Sequence, residues 1–414
     1  MQRSTKRWLA LGAVVAASTL TLAGCSGSGF SDSAGSSQNA SSPLTVLIGS
    51  SGDAETKAVT DAVATWSSSS GTQATVTAAS DLNQQLSQGF ASGKPADVFY
   101  VSTDALAGYA ANGSLLAYGE KLANKDDFYP TLVKSFTYDG QFYCAPKDFS
   151  TLGLVINTDL WSQAGLTDAD VPTTWDQLSA VAQKLTTADH AGLSFSPEYA
   201  RVGAFMAEAG GGLVNTDGTT ATANSAASVA GLSYVKSLLT SGAAKYSSTL
   251  GAGWGGEAFG KGLAAMTIEG NWISGAMKAD YPGIKYRIAE LPAGTAGQGT
   301  LQFTNCWGIA ADSQNQDAAL KLVEQLTSTD QQLAFASAFG VMPSVQSAAA
   351  EWKSANPDLA PFLDSATFAQ GVPTAQGSAD VIKDLNSQLE SLATADPQAI
   401  LDSTQKNLEA VIGK

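Results

Sequence analysis

Two stretches of the 414-residue chain set aromatic rings beside carboxylate and amide groups. One is Glu269-Gly270-Asn271-Trp272, and the other is Phe303-Thr304-Asn305 followed by Trp307. A ring rich in hydroxyls needs an aromatic platform for its C–H faces and polar groups for its edges. Lys147-Asp148 adds a donor and a charged acceptor, and charge-assisted hydrogen bonds are the stronger kind. As a plain surface ion pair the same two residues would contribute little. Asp53 and Asp104 follow strand-like runs, where a ligand role competes with capping the next helix. Trp254 lies in Gly251-Ala252-Gly253-Trp254-Gly255-Gly256, which suggests a mobile, exposed lid or a surface residue with no role. Tyr199, after Glu198, is a further candidate. Trp66, Trp161, Trp175 and Trp352 fall in helical patterns and read as core.

Catalytic and metal chemistry have little to rest on. His190 is the single histidine, in the polar run Thr187-Ala188-Asp189-His190-Ala191-Gly192, and reads as a surface loop residue. The chain lacks Cys-x-x-Cys, His-Glu-x-x-His, Gly-x-Ser-x-Gly and phosphate-loop patterns. No catalytic residue, metal or cofactor is expected. On paper, Asp148 and Glu269 could still be the two carboxylates of a glycan hydrolase, which keeps that alternative open.

Elements that could position these groups follow from patterning. Residues 1–24 open with Arg3, Lys6 and Arg7, continue with an apolar run over 8–22 and end in small residues. That run is shorter than the ~20 residues a membrane span needs and has the form of a removable export signal. Leu22-Ala23-Gly24-Cys25 resembles a bacterial lipobox, which implies acylation of Cys25. Residues 25–43 are nearly all Ser, Gly, Ala, Asn and Gln and read as a flexible tether. Residues 1–24 hold three of the 22 basic residues and none of the 37 acidic ones, so the rest carries 19 against 37, a formal charge of −18. Such a field opposes nucleic acid and anionic lipid. Some 370 residues remain, too many for one core, so two lobes are expected.

Leu44-Thr45-Val46-Leu47-Ile48, the alternating run over 72–78, and Ala96-Asp97-Val98-Phe99-Tyr100-Val101 read as strands separated by helices. The alternation resumes with strands at 152–157, 264–268 and 308–311, a helix from Trp175 capped by Thr174, and a helix over 316–326. This order implies an α/β protein with parallel strands, whose ligands sit beyond the strands' carboxyl ends. Two cysteines remain after Cys25, and thiols outside the cell are more often bridged than free.

The order of short motifs resembles the extracellular sugar-binding proteins of bacterial ATP-driven (ABC) importers, the maltose-binding-like family. The pieces are 96–101, Cys144-Ala145-Pro146-Lys147-Asp148-Phe149-Ser150-Thr151-Leu152, Asn157-Thr158-Asp159-Leu160, Val171-Pro172-Thr173-Thr174-Trp175-Asp176-Gln177-Leu178, Glu269-Gly270-Asn271-Trp272 and Gly340-Val341-Met342-Pro343. Gln177 stands where the family usually has glutamate.

The resemblance implies a two-lobed periplasmic-binding-protein fold of type II, with a ligand cleft between the lobes. Its lobes would be 44–148 with 306–345, and 149–305 with 346–414, crossing near 147–154, 305–309 and after Pro343. It implies an oligosaccharide ligand, with Trp272 stacking on it and Asn305 facing it. Lys147, Asp148, Glu269, Asn271, Phe303, Trp254, Asp53 and Asp104 complete the expected contacts. It places Cys144 and Cys306 together at the crossings, as a disulfide. It further implies a monomer on the outer face of the cell membrane that delivers solute to permease subunits. The same fold binding a polyamine, metal chelate or phosphate ester is the other alternative.

Overall fold

A computed structural model describes residues 43–412. The leader, Cys25 and the tether as far as residue 42 lie outside the described residues. The strands are β1 (Leu44–Ile48), β2 (Ala74–Ala78), β3 (Val98–Ser102), β4 (Thr137–Tyr138), β5 (Gln141–Phe142) and β6 (Ala145–Asn157). They continue with β7 (Ala191–Phe195), β8 (Ala244–Tyr246), β9 (Ala264–Gly270), β10 (Tyr286–Ala289), β11 (Thr300–Ile309) and β12 (Ala369–Gln370). β4 and β5 form a separate hairpin. The other ten form a sheet in the order β2-β1-β3-β11-β6-β9-β7-β8, with β10 on β6 and β12 on β11.

Local sequence explains the elements. In β1 the buried Leu44, Val46 and Ile48 alternate with more accessible residues, the period of a strand. The helix Asp53–Ser70 buries Val59, Ala62, Val63 and Trp66 at helical spacing, and Gly71 ends it at φ 73°. The Thr174 hydroxyl accepts from the Gln177 amide at the start of the helix Trp175–Leu185.

β1 runs parallel to both β2 and β3, and β7 runs parallel to β8 and β9. β6 joins the two parallel sets. Its first half pairs antiparallel with β11, and residues 152–156 pair antiparallel with β9. β11 in turn pairs antiparallel with β3 through residues 305–309. Phe149 also exchanges backbone hydrogen bonds with Met342, so a third segment runs beside β6. One core gathers Val46, Val63, Phe99, Trp307 and Leu322, and another gathers Leu154, Leu193, Phe205, Met266 and Leu389. The architecture is therefore the two-lobed α/β fold expected from the sequence, with long strands passing between the lobes.

Both crossing strands begin earlier than sequence patterning places them. The expected strands start at residues 152 and 308, whereas β6 starts at Ala145 and β11 at Thr300. Pro146, Lys147 and Asp148 hide the strand because their polarity suits a loop. They are extended because β11 pairs with them. Cys144, just before β6, is joined by a disulfide to Cys306 on β11, with Cα atoms 5.6 Å apart. Trp66, Trp161, Trp175 and Trp352 are buried, as expected of core residues.

Candidate ligand-binding site

Register decides which residues share a face of the crossing strands. Asn305 lies opposite Asp148 on β6 and Ser102 on β3, and Phe303 lies opposite Ser150. Directly opposed residues project to the same side of a sheet, so these five line one surface. Ser102, Ser150, Phe303 and Asn305 are each partly exposed there. The rim is Trp272, whose ring meets Phe303 edge-on at 5.8 Å. At 37% exposure it is an exposed large apolar side chain. The surface thus carries an amide, hydroxyls and a carboxylate along its length and an aromatic platform at one end.

A β-bulge shapes the middle of this surface. Asn305 pairs with Asp148 but the next residue, Cys306, pairs with Pro146, so Lys147 is the extra residue of β6. A bulge re-aims side chains that strict alternation would send to opposite faces. Here it lets Lys147 hydrogen-bond the carboxylate of its neighbour Asp148 while donating to Glu55 Oε1 at 2.9 Å. Glu55 also accepts from the Tyr100 hydroxyl at 3.0 Å, and from the Ser51 amide and hydroxyl at 2.7 Å each. The Lys147 ammonium stands 4.6 Å from the centre of the Tyr100 ring. Lys147 is 8% exposed and Asp148 9%, so this is a buried charge cluster and neither a surface ion pair nor a loop.

One cation serves two carboxylates, and their titration reflects it. Burial pulls the Lys147 pKa down, but Asp148 and Glu55 outweigh it and hold the ammonium charged. Burial pushes Asp148 up, against the pull of Lys147. Glu55 is lowered, because Lys147 and the Ser51 hydrogen bonds exceed the burial penalty.

Around Trp272 the expected contacts divide. Glu269 is 0% exposed, and its Oε2 accepts from Arg201 Nη2 at 2.7 Å and from Trp272 Nε1 at 3.0 Å. Its pKa is raised by burial, against the pull of Arg201. Asn271 is also buried and donates through Nδ2 to the Gly340 carbonyl at 2.8 Å. These two residues stand behind the indole. Glu269 is thus fully buried and its carboxylate already paired with Arg201.

Asp53 and Asp104 are exposed in the first turns of their helices, whose N-caps are Gly52 and Ser102, so neither acts as the cap. Trp254 corrects an expectation: it is half-buried, packed against the apolar cluster of Phe259 and Ile273, and not an exposed flap. Its ring lies over Gly256, where a Cβ would collide with it. His190 is half-buried, and Tyr199 is buried in the core.

Sequence reasoning missed Arg201, Glu55 and Tyr100. Arg201 left one usable signal, since only four arginines occur and two of them precede Cys25. Glu55 left none, because it reads as one more polar residue of an amphipathic helix. Among the described residues no group of three or more His, Cys, Asp or Glu is placed to hold a metal ion. No described helix is long and apolar enough to cross a membrane. Hollows of about 560 and 700 Å³ lie elsewhere, beside 311–318 and between β1 and 85–96.

Comparison with known proteins fits this geometry. The solved structure of a cyclic alpha-maltosyl-1,6-maltose binding protein from Arthrobacter globiformis matches with TM-score 0.79 at 22% identity, over 90% of this chain and 99% of that one. The sugar-binding protein MalE of Xanthomonas citri matches with TM-score 0.79 at 19% identity, over 89% and 97%. In sequence, the diacetylchitobiose binding protein DasA of Streptomyces coelicolor is 28% identical over 275 residues, which is 64% of this chain and 64% of that protein. A Brucella abortus protein described as a binding protein is 26% identical over 347 residues, 80% of this chain and 84% of that one. Residues 62–361, more than half of the chain, match the family described as bacterial extracellular solute-binding protein, and the chain belongs to that family.

Proposed function

We propose that the protein captures an oligosaccharide between its lobes and delivers it to the permease subunits of an ABC importer. The observation that carries this reading is the exposed Trp272 indole at the end of a polar surface formed by Ser102, Asp148, Ser150 and Asn305. A sugar ring stacks its C–H face on an indole and hydrogen-bonds its hydroxyls to such groups. Relatives named for binding diacetylchitobiose and cyclic maltosyl-maltose support the same ligand class. Phe303 completes the surface. Lys147 sets the charge and position of Asp148, while the exposed Asp53 and Asp104, in the first turns of their helices, could approach a longer ligand.

In this reading the lobes are 44–148 with 306–345 and 149–305 with 346–414. The mature protein is a monomer held by acyl chains on Cys25 at the outer face of the membrane. Each buried methylene of such a chain contributes ~0.8 kcal/mol, so more than one chain anchors firmly. The protein acts as a carrier and catalyses nothing. Titration calorimetry of the protein against maltotetraose, diacetylchitobiose and cyclic maltosyl-maltose tests the ligand class. Binding of at least one is expected, and heat with none of them, or sugar release from any, would overturn the reading. Loss of the protein from the membrane fraction in Cys25→Ala is the matching test of the anchor.

A further inference from the structure

We propose that Arg201 is a positioning residue for ligand binding, which fixes the indole of Trp272 both directly and through Glu269. The inference rests on the reading of Trp272 as the ligand's platform. Arg201 belongs to the helix Tyr199–Glu208, and Trp272, two residues past β9, is the N-cap of the helix Ile273–Asp280, far away in sequence. Glu269 Oε2 accepts from both of them, at 2.7 Å from Arg201 Nη2 and 3.0 Å from Trp272 Nε1. The guanidinium carbon also stands 5.2 Å from the centre of the indole, a cation–π distance. The ring is thereby held at its N–H by the carboxylate and at its π system by the cation, with Phe303 at its edge.

An exposed indole left free would have to be ordered by the ligand, at a cost of roughly two- to ten-fold in affinity. Arg201 and Glu269 place that ordering in the folded protein instead. The N–H is committed to Glu269, so the indole offers the ligand only its π surface and C–H edge. Hydroxyl recognition is left to Ser102, Asp148, Ser150 and Asn305. Charge is balanced as well, because the guanidinium neutralises a carboxylate that would otherwise be buried alone. Lysine is the poorer choice here, since a planar guanidinium can donate to a carboxylate and stack on a ring at the same time.

The test compares wild type with Arg201→Met, Arg201→Lys and Arg201→Met/Glu269→Gln. The double variant leaves no unpaired buried carboxylate and keeps an acceptor for the indole N–H, so it serves where Arg201→Met fails to fold. Each is paired with the same protein carrying Trp272→Phe, so that time-resolved anisotropy of the difference isolates Trp272. The expected result is a larger nanosecond depolarisation of Trp272 in Arg201→Met and in the double variant. Affinity for maltotetraose, diacetylchitobiose or cyclic maltosyl-maltose should fall roughly two- to ten-fold with it, and Arg201→Lys should lie between. Unchanged depolarisation in both charge-deleted proteins would overturn the proposal. Weaker binding in Trp272→Ala with none in Arg201→Met would sink the positioning role alone. Undiminished binding in Trp272→Ala would sink the platform reading and, with it, the ligand role of Arg201.

Discussion

Lys147 on β6 donates to Glu55 Oε1 at 2.9 Å, which ties the bulged crossing strand to the first helix. Glu55 is fixed there by the two Ser51 donors, in the loop that follows β1. The floor of the candidate site is therefore built on a buried cation shared by two carboxylates. Such a cluster costs desolvation, and breaking it by removing one partner costs more than never having built it.

Lys147→Met should accordingly destabilise the fold by about 3–5 kcal/mol, since it leaves two carboxylates without their cation. Urea unfolding at neutral pH measures this. Adding Glu55→Gln to the same chain should recover part of the loss. A single variant as stable as wild type would show that the cluster is dispensable.

Glu208 sets a second electrostatic expectation. Its carboxyl is buried in the core, hydrogen-bonded by the Trp175 indole, and its Oε1 has no partner among the described residues. Burial raises its pKa well above the ordinary carboxylate value, against the indole hydrogen bond. Unfolded glutamate titrates near 4.3. Above that pH the unfolded chain has released this proton while the folded chain keeps it. The group therefore lowers stability as pH rises, by up to ~1.4 kcal/mol per unit, until the folded pKa is passed. Glu208→Gln should remove that slope, so its stability advantage over wild type at pH 7 should shrink toward pH 4. Parallel curves from urea unfolding across that range would contradict this.

The disulfide offers a test independent of charge. Cys144 and Cys306 are 162 residues apart, and the chain-entropy estimate for so long a loop is up to ~5 kcal/mol. Cys144→Ser/Cys306→Ser should lower the thermal midpoint and leave the fold recognisable by far-ultraviolet circular dichroism. Mass spectrometry of the untreated wild-type protein should show no free thiol at either position.

What the sequence disclosed depended on whether a signal was local. Strand and helix periods are local, so β1 to β3 and the helices between them were legible. So was the place of Trp272, between the end of a strand and the start of a helix. Its supporting partners were not. Arg201 reaches it from another helix, and nothing in the spacing of the chain encodes that meeting. Lys147 was legible as a candidate but not as a buried bulge residue, because the register between β6 and β11 joins segments more than 150 residues apart. Trp254 misled for a related reason. Glycines around a tryptophan suggest mobility, whereas Gly256 is there because the ring lies against it.

The last prediction concerns the bond from Asn271 Nδ2 to the Gly340 carbonyl, 2.8 Å long. Gly340 caps the helix Thr329–Phe339, which packs on the first helix, whereas Asn271 extends β9 on the other side of the crossing strands. The bond therefore ties the end of β9 to the cap of a helix that packs on the first helix. A net hydrogen bond contributes about 1 kcal/mol, enough to shift a two-state equilibrium about five-fold. Ligand can close the lobes only through contacts it makes better in the closed state. A bond that forms only on closure lowers the closure the ligand must drive. Asn271→Ala should then enlarge the radius of gyration of the ligand-free protein and weaken maltotetraose binding by up to about five-fold. The ligand-saturated dimensions should match those of wild type. Small-angle scattering of both proteins, with and without sugar, measures all of this. Equal ligand-free dimensions together with an undiminished affinity would show that the bond only anchors a turn.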